Sequence, residues 1–244
     1  MKEYTKIYIG TSGWSYNDWA DGVFYPPDIS NRGWLEYYSR HFNTVEINAS
    51  FYHQMSAKTF AKWRQITPKN FIFSVKISRF LTHIKKLNNS KEPWQRFINN
   101  AKMLKEKLGP ILVQLPPRFK ANKEKLEDFL KITPKKYKLA FEFRDKSWFD
   151  KEILQILKKY NATLVFADFK GVPVVDEITA DFIYIRMHGP ADLYSSKYTA
   201  GQLQKLADKI NRWKKEVKEI YVYFNNDTEG YALENAKTLI KLAR

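Results

Sequence analysis

Residues 182–189 read Phe-Ile-Tyr-Ile-Arg-Met-His-Gly, an apolar run that turns polar on alternate positions only as it ends, at Arg186 and His188. In a strand such i, i+2 residues share one face. An apolar start with a polar finish is expected where the C-terminal ends of parallel strands open on a site. Working outward, the same habit recurs. Residues 44–48 end in Glu46 and Asn48, 71–77 in Ser74 and Lys76, 139–144 in Glu142 and Arg144, and 220–225 in Tyr223 and Asn225. Residues 111–116 place Gln114 two positions after Leu112, and 163–168 place Asp168 two after Phe166. With residues 7–13 these runs make eight candidate strands.

Helical patterns fall between them at 34–41, 57–66, 94–108, 123–132, 151–160 and 200–217, with a last one at 232–243. Alternating short β-branched runs and helices specify parallel βα units. The 244 residues divide into about 30 per unit, near the size of a (β/α)8 barrel. The expected fold is therefore α/β, a TIM-like (β/α)8 barrel formed by residues 1–244 as one domain. The sixth helix is weak or missing, because residues 169–180 contain Gly171 and Pro173. A dinucleotide-binding sheet is disfavoured, since Gly10-Thr11-Ser12-Gly13-Trp14 lacks the G-x-G-x-x-G spacing.

Composition narrows the function classes. The absence of cysteine excludes disulfides, thiolate nucleophiles and cysteine-bound metals. With no stretch long enough to cross a membrane and no signal-like apolar core in residues 1–6, a cytoplasmic protein is expected. The net charge of +16 is uneven: residues 1–122 hold 19 basic and 8 acidic residues, and 69–107 alone hold ten against two. A face built by that segment attracts polyanions, so weak nucleic-acid binding is expected, although the same lysines also serve solubility.

Several motifs carry a resemblance. Ile9-Gly-Thr-Ser-Gly-Trp14-Ser-Tyr16-x-x-Trp19, Thr44-Val-Glu46-Ile-Asn48 with Phe51-Tyr52, Phe73-Ser-Val-Lys76, Thr82-His83 and Val113-Gln114-Leu-Pro-Pro117 come in that order. Glu142-Phe-Arg144 with Trp148, Tyr184-Ile-Arg186-Met-His188-Gly189 and Tyr223-Phe-Asn225-Asn226 follow. Together they resemble the YecE-like domain-of-unknown-function family over nearly the whole chain. The resemblance implies a TIM-like barrel with its shared residues at one mouth, and no activity. Asp145 stands where the family often has His, and His53-Gln54-Met55 departs from the usual Phe-Tyr-x-x-Pro form.

The clustered residues permit several chemistries. For an anionic substrate, phosphorylated or nucleic-acid-derived, Lys76, Arg144 and Arg186 supply charge, while Asn48, Gln114, Asn225 and Asn226 supply orientation. Glu46 or Glu142 then serves as general base and His188 as acid or base near its ordinary pKa, with Asp168 beside them. Trp14, Tyr52, His83 and Trp148 are candidate rim contacts. A Schiff base at Lys76 requires a lowered pKa, which the neighbouring glutamates oppose. His53, His83 and His188 with Glu46, Glu142 and Asp168 contain the ingredients of a divalent-metal site but not its spacing, so no metal is assigned. Glu46 and Glu142 as a glycosidase pair would sit beside cations that keep both ionised. Against these readings stand a structural ion network, in which two Arg and one Lys balance two Glu and one Asp, and a non-catalytic nucleic-acid-binding protein.

Overall fold

Val, Ile, Phe and Tyr runs pack well on a pleated surface, and they form β1 (Lys6–Thr11), β2 (Thr44–Ile47), β3 (Ile72–Lys76), β4 (Leu108–Gln114), β5 (Leu139–Glu142), β6 (Thr163–Ala167), β7 (Phe182–Met187) and β8 (Glu219–Phe224). The computed structural model describes residues 4–169, 171, 173, 175–191 and 194–243. Every recorded strand pair is parallel, in the order β1-β8-β7-β6-β5-β4-β3-β2. Around them lie α1 (Trp34–His41), α2 (Ala49–Tyr52), α3 (Ala57–Ile66), α4 (Lys91–Ala101), α5 (Lys123–Ile132), α6 (Lys151–Lys159), α7 (Ala200–Trp213) and α8 (Tyr231–Leu242). This is a nearly closed TIM-like barrel. The described residues between β6 and β7 include no helix, as the Gly and Pro there led one to expect.

Side chains complete the seam between β1 and β2. Asn43 donates to Ile7 O at 3.0 Å and accepts from Ile9 N at 3.3 Å. The Tyr38 hydroxyl accepts from Thr11 N at 2.9 Å and donates to Thr44 O at 3.1 Å. A Cβ on Gly10 would lie 2.2 Å from Thr44 O, so only glycine allows the strands this close.

Two boundaries differ from the sequence expectation. The helix expected over 94–108 ends at Ala101 and continues as a 3₁₀ stretch, Lys102–Lys107, broken where Lys105 takes φ 51°. Strand β4 begins at Leu108, not 111, and so includes Gly109-Pro110, a pair that reads locally as a turn. Gly109 belongs there because a Cβ would meet Ile72 Cγ2 at 2.5 Å. Two short rim elements, α2 and a π-helical turn Phe80–Ile84, carry no periodicity long enough to be read.

The strands bury two layers. Outward residues such as Val45, Phe73, Val113 and Phe166 pack against the helices, while Leu112, Ala140, Val165, Tyr184, Tyr221 and Tyr223 fill the barrel. Tyr223 crosses the interior, its hydroxyl 2.7 Å from both Thr44 Oγ1 and Ser74 Oγ. Interior parity then carries Tyr184 to Arg186, Ala140 to Glu142, Leu112 to Gln114 and Ser74 to Lys76, all at the C-terminal end.

Candidate functional site

Arg186 organises one half of the mouth. Its guanidinium donates to Glu46 Oε1 at 2.9 Å and to Glu142 Oε2 at 2.5 Å, and all three side chains are almost wholly buried. Glu46 also accepts from Tyr184 OH at 2.6 Å and Asn48 at 3.2 Å, and Glu142 from Gln114 at 3.0 Å and from Arg144. Burial pushes both carboxyls up, but Arg186 together with Tyr184 and Lys76 holds Glu46 below the usual range, and Arg186 together with Arg144, His188 and Lys76 holds Glu142 well below it. Every carboxylate oxygen is engaged, so neither glutamate offers the uncommitted base expected of it. Their office is to fix Arg186.

His188 extends this half. Its Nε2 lies 3.1 Å from Arg144 Nη2 and 3.2 Å from Arg186 Nη1, and two guanidinium donors require a neutral acceptor nitrogen there. Its Nδ1 is 3.4 Å from Asp168 Oδ1. Burial lowers the His188 pKa, partly opposed by Asp168, where an unperturbed ring was expected. Asp168 reaches the cluster differently from its expected parity. Phe166 faces outward onto Trp213, and Asp168, past the strand end, accepts from His188 N at 2.7 Å and from Tyr198 OH.

The other half of the mouth is open. A cavity of about 540 Å³ is lined by Lys76, Arg79, His83 and Asp227, together with Asn48, Gln114, Asn225, Tyr52 and the edge of Arg186. Among the described residues Lys76 Nζ has no ion pair or hydrogen bond; it sits 4.1 Å from the centre of the Phe51 ring. Burial, aided by Arg186, lowers its pKa to about 8 in spite of Glu142 and Glu46, the reverse of the balance expected from sequence. His83, bonded through Nδ1 to Thr82 at 2.9 Å, is brought down to about 4 by burial and by Lys76. Asp227 is raised to about 7 by burial, and its Oδ1 has no partner among the described residues. Arg186 Nε is likewise buried without one.

Some expected residues are elsewhere. Trp148 is not at the rim: its indole is fully buried, stacked on Phe143 at 4.8 Å and donating to Phe119 O at 2.5 Å. Asn226 is buried and ties Ser196 O to Asn235, at 2.9 and 3.0 Å. Trp14 lies outside the mouth cavity in a neighbouring groove. Asp145 caps the 3₁₀ turn Lys146–Trp148, and His53 is exposed. Among the described residues no three His, Cys, Asp or Glu side chains converge as metal ligands. Sequence reasoning missed Arg79 and Asp227 and gave Tyr16 only within a motif, since all three stand on loops beyond strand ends where alternation gives no signal. The run Asn225-Asn226-Asp227 was the available hint.

Comparisons with known proteins agree on kinship and are silent on chemistry. Residues 8–244 match the family described as "Protein of unknown function DUF72". The chain is 28% identical over 275 residues to the UPF0759 protein YunF of Bacillus subtilis, covering 97% of this chain and 94% of that one. It is 29% identical over 146 residues to the UPF0759 protein YecE of Escherichia coli, 59% of this chain and 51% of that one. The crystal structure of a DUF72 family protein from Thermotoga maritima superposes with a TM-score of 0.88 at 33% identity, covering 97% and 98% of the two chains. One from Enterococcus faecalis gives 0.83 at 25%, covering 97% and 95%.

Proposed function

The chain belongs to the DUF72 family of proteins of unknown function, and we propose that it is an enzyme whose open half-mouth acts on a phosphorylated or nucleic-acid-derived anion by acid–base or hydrolytic chemistry. The observation that carries this reading is Lys76, a buried ammonium facing a cavity with no carboxylate among the described residues paired to it. The Arg186 network is neutral in itself, so Lys76 and Arg79 leave the cavity positive and suited to a phosphoryl group. Asn48, Gln114 and Asn225 offer amides to orient it. Asp227, changing charge at about pH 7, is the group able to take or give a proton, and Lys76, at about 8, holds its charge just above that. Glu46, Glu142, His188 and Asp168 position Arg186 and Arg144. The setting we assign is the cytoplasm, where such anions abound.

Turnover of phosphomonoesters, phosphodiesters and nucleotides, followed from about pH 5 to about pH 10, tests this. Activity should peak between limbs near 7 and 8, and Asp227→Asn and Lys76→Met should each abolish it without unfolding the protein. Turnover that survives both substitutions, or none on any phosphorylated compound, contradicts the assignment.

A further inference from the structure

A second groove, of about 680 Å³, lies against the mouth and is walled by Trp14, Arg32, Lys58, Lys62 and Trp63. Tyr16 and Asn48 line both hollows, so the two meet along a shared wall. Among the described residues, the lining of this groove contains three cations and no carboxylate. Other hollows are unlike it. The one between β7 and α7 sets Asp168 and Asp176 against Lys205 and Lys209, and in the one beside α4, Arg96 is paired with Glu92 at 2.6 Å.

Local structure explains the placement. Lys58 and Lys62 are four residues apart on α3 and therefore share a face, and Arg32 precedes α1, so the two helices present their cations to one trough. All three are exposed, and among the described residues none has an ion-pair or side-chain hydrogen-bond partner. Two aromatic residues, Tyr16 on the shared wall and Trp14 within the groove, are held by other groups. Trp14 abuts Trp63 edge-on at 5.0 Å and its carbonyl accepts from Tyr25 OH. Tyr16 is bound through its hydroxyl to Ser12 O.

Cations at Lys76 and Arg79 in the mouth, the Tyr16 ring on the wall both hollows share, and cations at Arg32, Lys58 and Lys62 in the groove supply the partners that phosphate, base and phosphate of a single strand require. We propose that the groove is a second nucleotide subsite, and that the ligand of this site is a single-stranded oligonucleotide at least two nucleotides long. A mononucleotide fills the mouth alone. Stacking on an immobilised ring and phosphate contacts to unpaired cations are the two terms that bind single strands without reading their sequence. This inference rests on the anionic reading of the mouth and adds the length and class of ligand.

Calorimetric titration at about 0.15 M salt, where distant surface charges are screened, separates the two claims. The probes are dAMP, the 5′-phosphorylated deoxyadenosine dinucleotide and inorganic tripolyphosphate. The dinucleotide should bind at least about tenfold tighter than dAMP, and the gain should vanish in a Lys58→Gln/Lys62→Gln double variant whose dAMP affinity is unchanged. If dAMP binds but the dinucleotide gains nothing, or the gain persists in the variant, the groove is not a subsite and the mouth reading stands. If tripolyphosphate gains as much as the dinucleotide, the groove selects charge alone and the nucleotide class is wrong. If none of the three binds, both readings fall.

Discussion

Lys107 and Lys76 are both buried lysines, set at opposite ends of the same barrel, one just before β4 begins and the other where β3 ends. The Lys107 ammonium donates to Arg64 O, Thr67 O and Thr67 Oγ1 at 2.6, 2.7 and 3.0 Å. Lys76 has an aromatic face and a cavity. A buried charge is tolerated when it is fully hydrogen-bonded and is costly when it is not. The N-terminal end is thus built for stability, while the open half of the C-terminal end keeps a charge that folding alone does not favour. In barrels of this type the C-terminal end is the one that bears function.

The greatest loss of stability falls on Arg186. Arg186→Met leaves Glu46 and Glu142 buried without their common partner and should cost about 3–5 kcal/mol, read as a large fall in melting temperature. Loss of less than about 1 kcal/mol would mean that the network is not the anchor of the mouth.

Asp227 sharpens the contrast through pH. Its folded pKa, about 7, lies above the ordinary value of 3.8, so its share of stability is complete below about pH 4 and is lost as pH rises through 7. Asp227→Asn should match the wild type near pH 4 and exceed it at pH 8, by up to about 4 kcal/mol. Denaturant unfolding across that range measures the difference. A variant equally stable at both pH values would place Asp227 in ordinary surroundings.

The lysines themselves give the smaller effects. Lys107→Met strands three oxygen acceptors and should cost about 1–3 kcal/mol. Lys76→Met removes a buried charge that has no partner among the described residues and should change stability by less than about 1 kcal/mol, or raise it. Equal losses in paired chemical-denaturation curves would erase the distinction between the two ends.

Much of the barrel was legible because polar residues recur on alternate positions at the ends of most strands, and this led from Tyr184 to Arg186 and from Ala140 to Glu142 without any tertiary information. The roles of those residues were not legible. Whether Glu142 is a base or an anchor depends on how many donors converge on it, and those come from β4, β7 and the end of β5. Asp168 shows the limit of parity, which fails once the chain leaves the strand. Trp148 shows that of composition: the same indole that reads as a ligand platform is a core residue once Phe119 O accepts its N–H. Asp227 and Arg79 were hidden because loops have no period.

Ligand-induced stabilisation measures directly whether Lys76 is the anion-binding charge of the mouth. Orthophosphate or a nucleotide at about a hundred times its Kd should stabilise the wild type by about 2.7 kcal/mol through mass action, seen as a rise in melting temperature. With Lys76 in that role, the rise should disappear in Lys76→Met and be retained in Lys107→Met. A full-sized rise in Lys76→Met, or no rise in the wild type with any anionic compound, would contradict it.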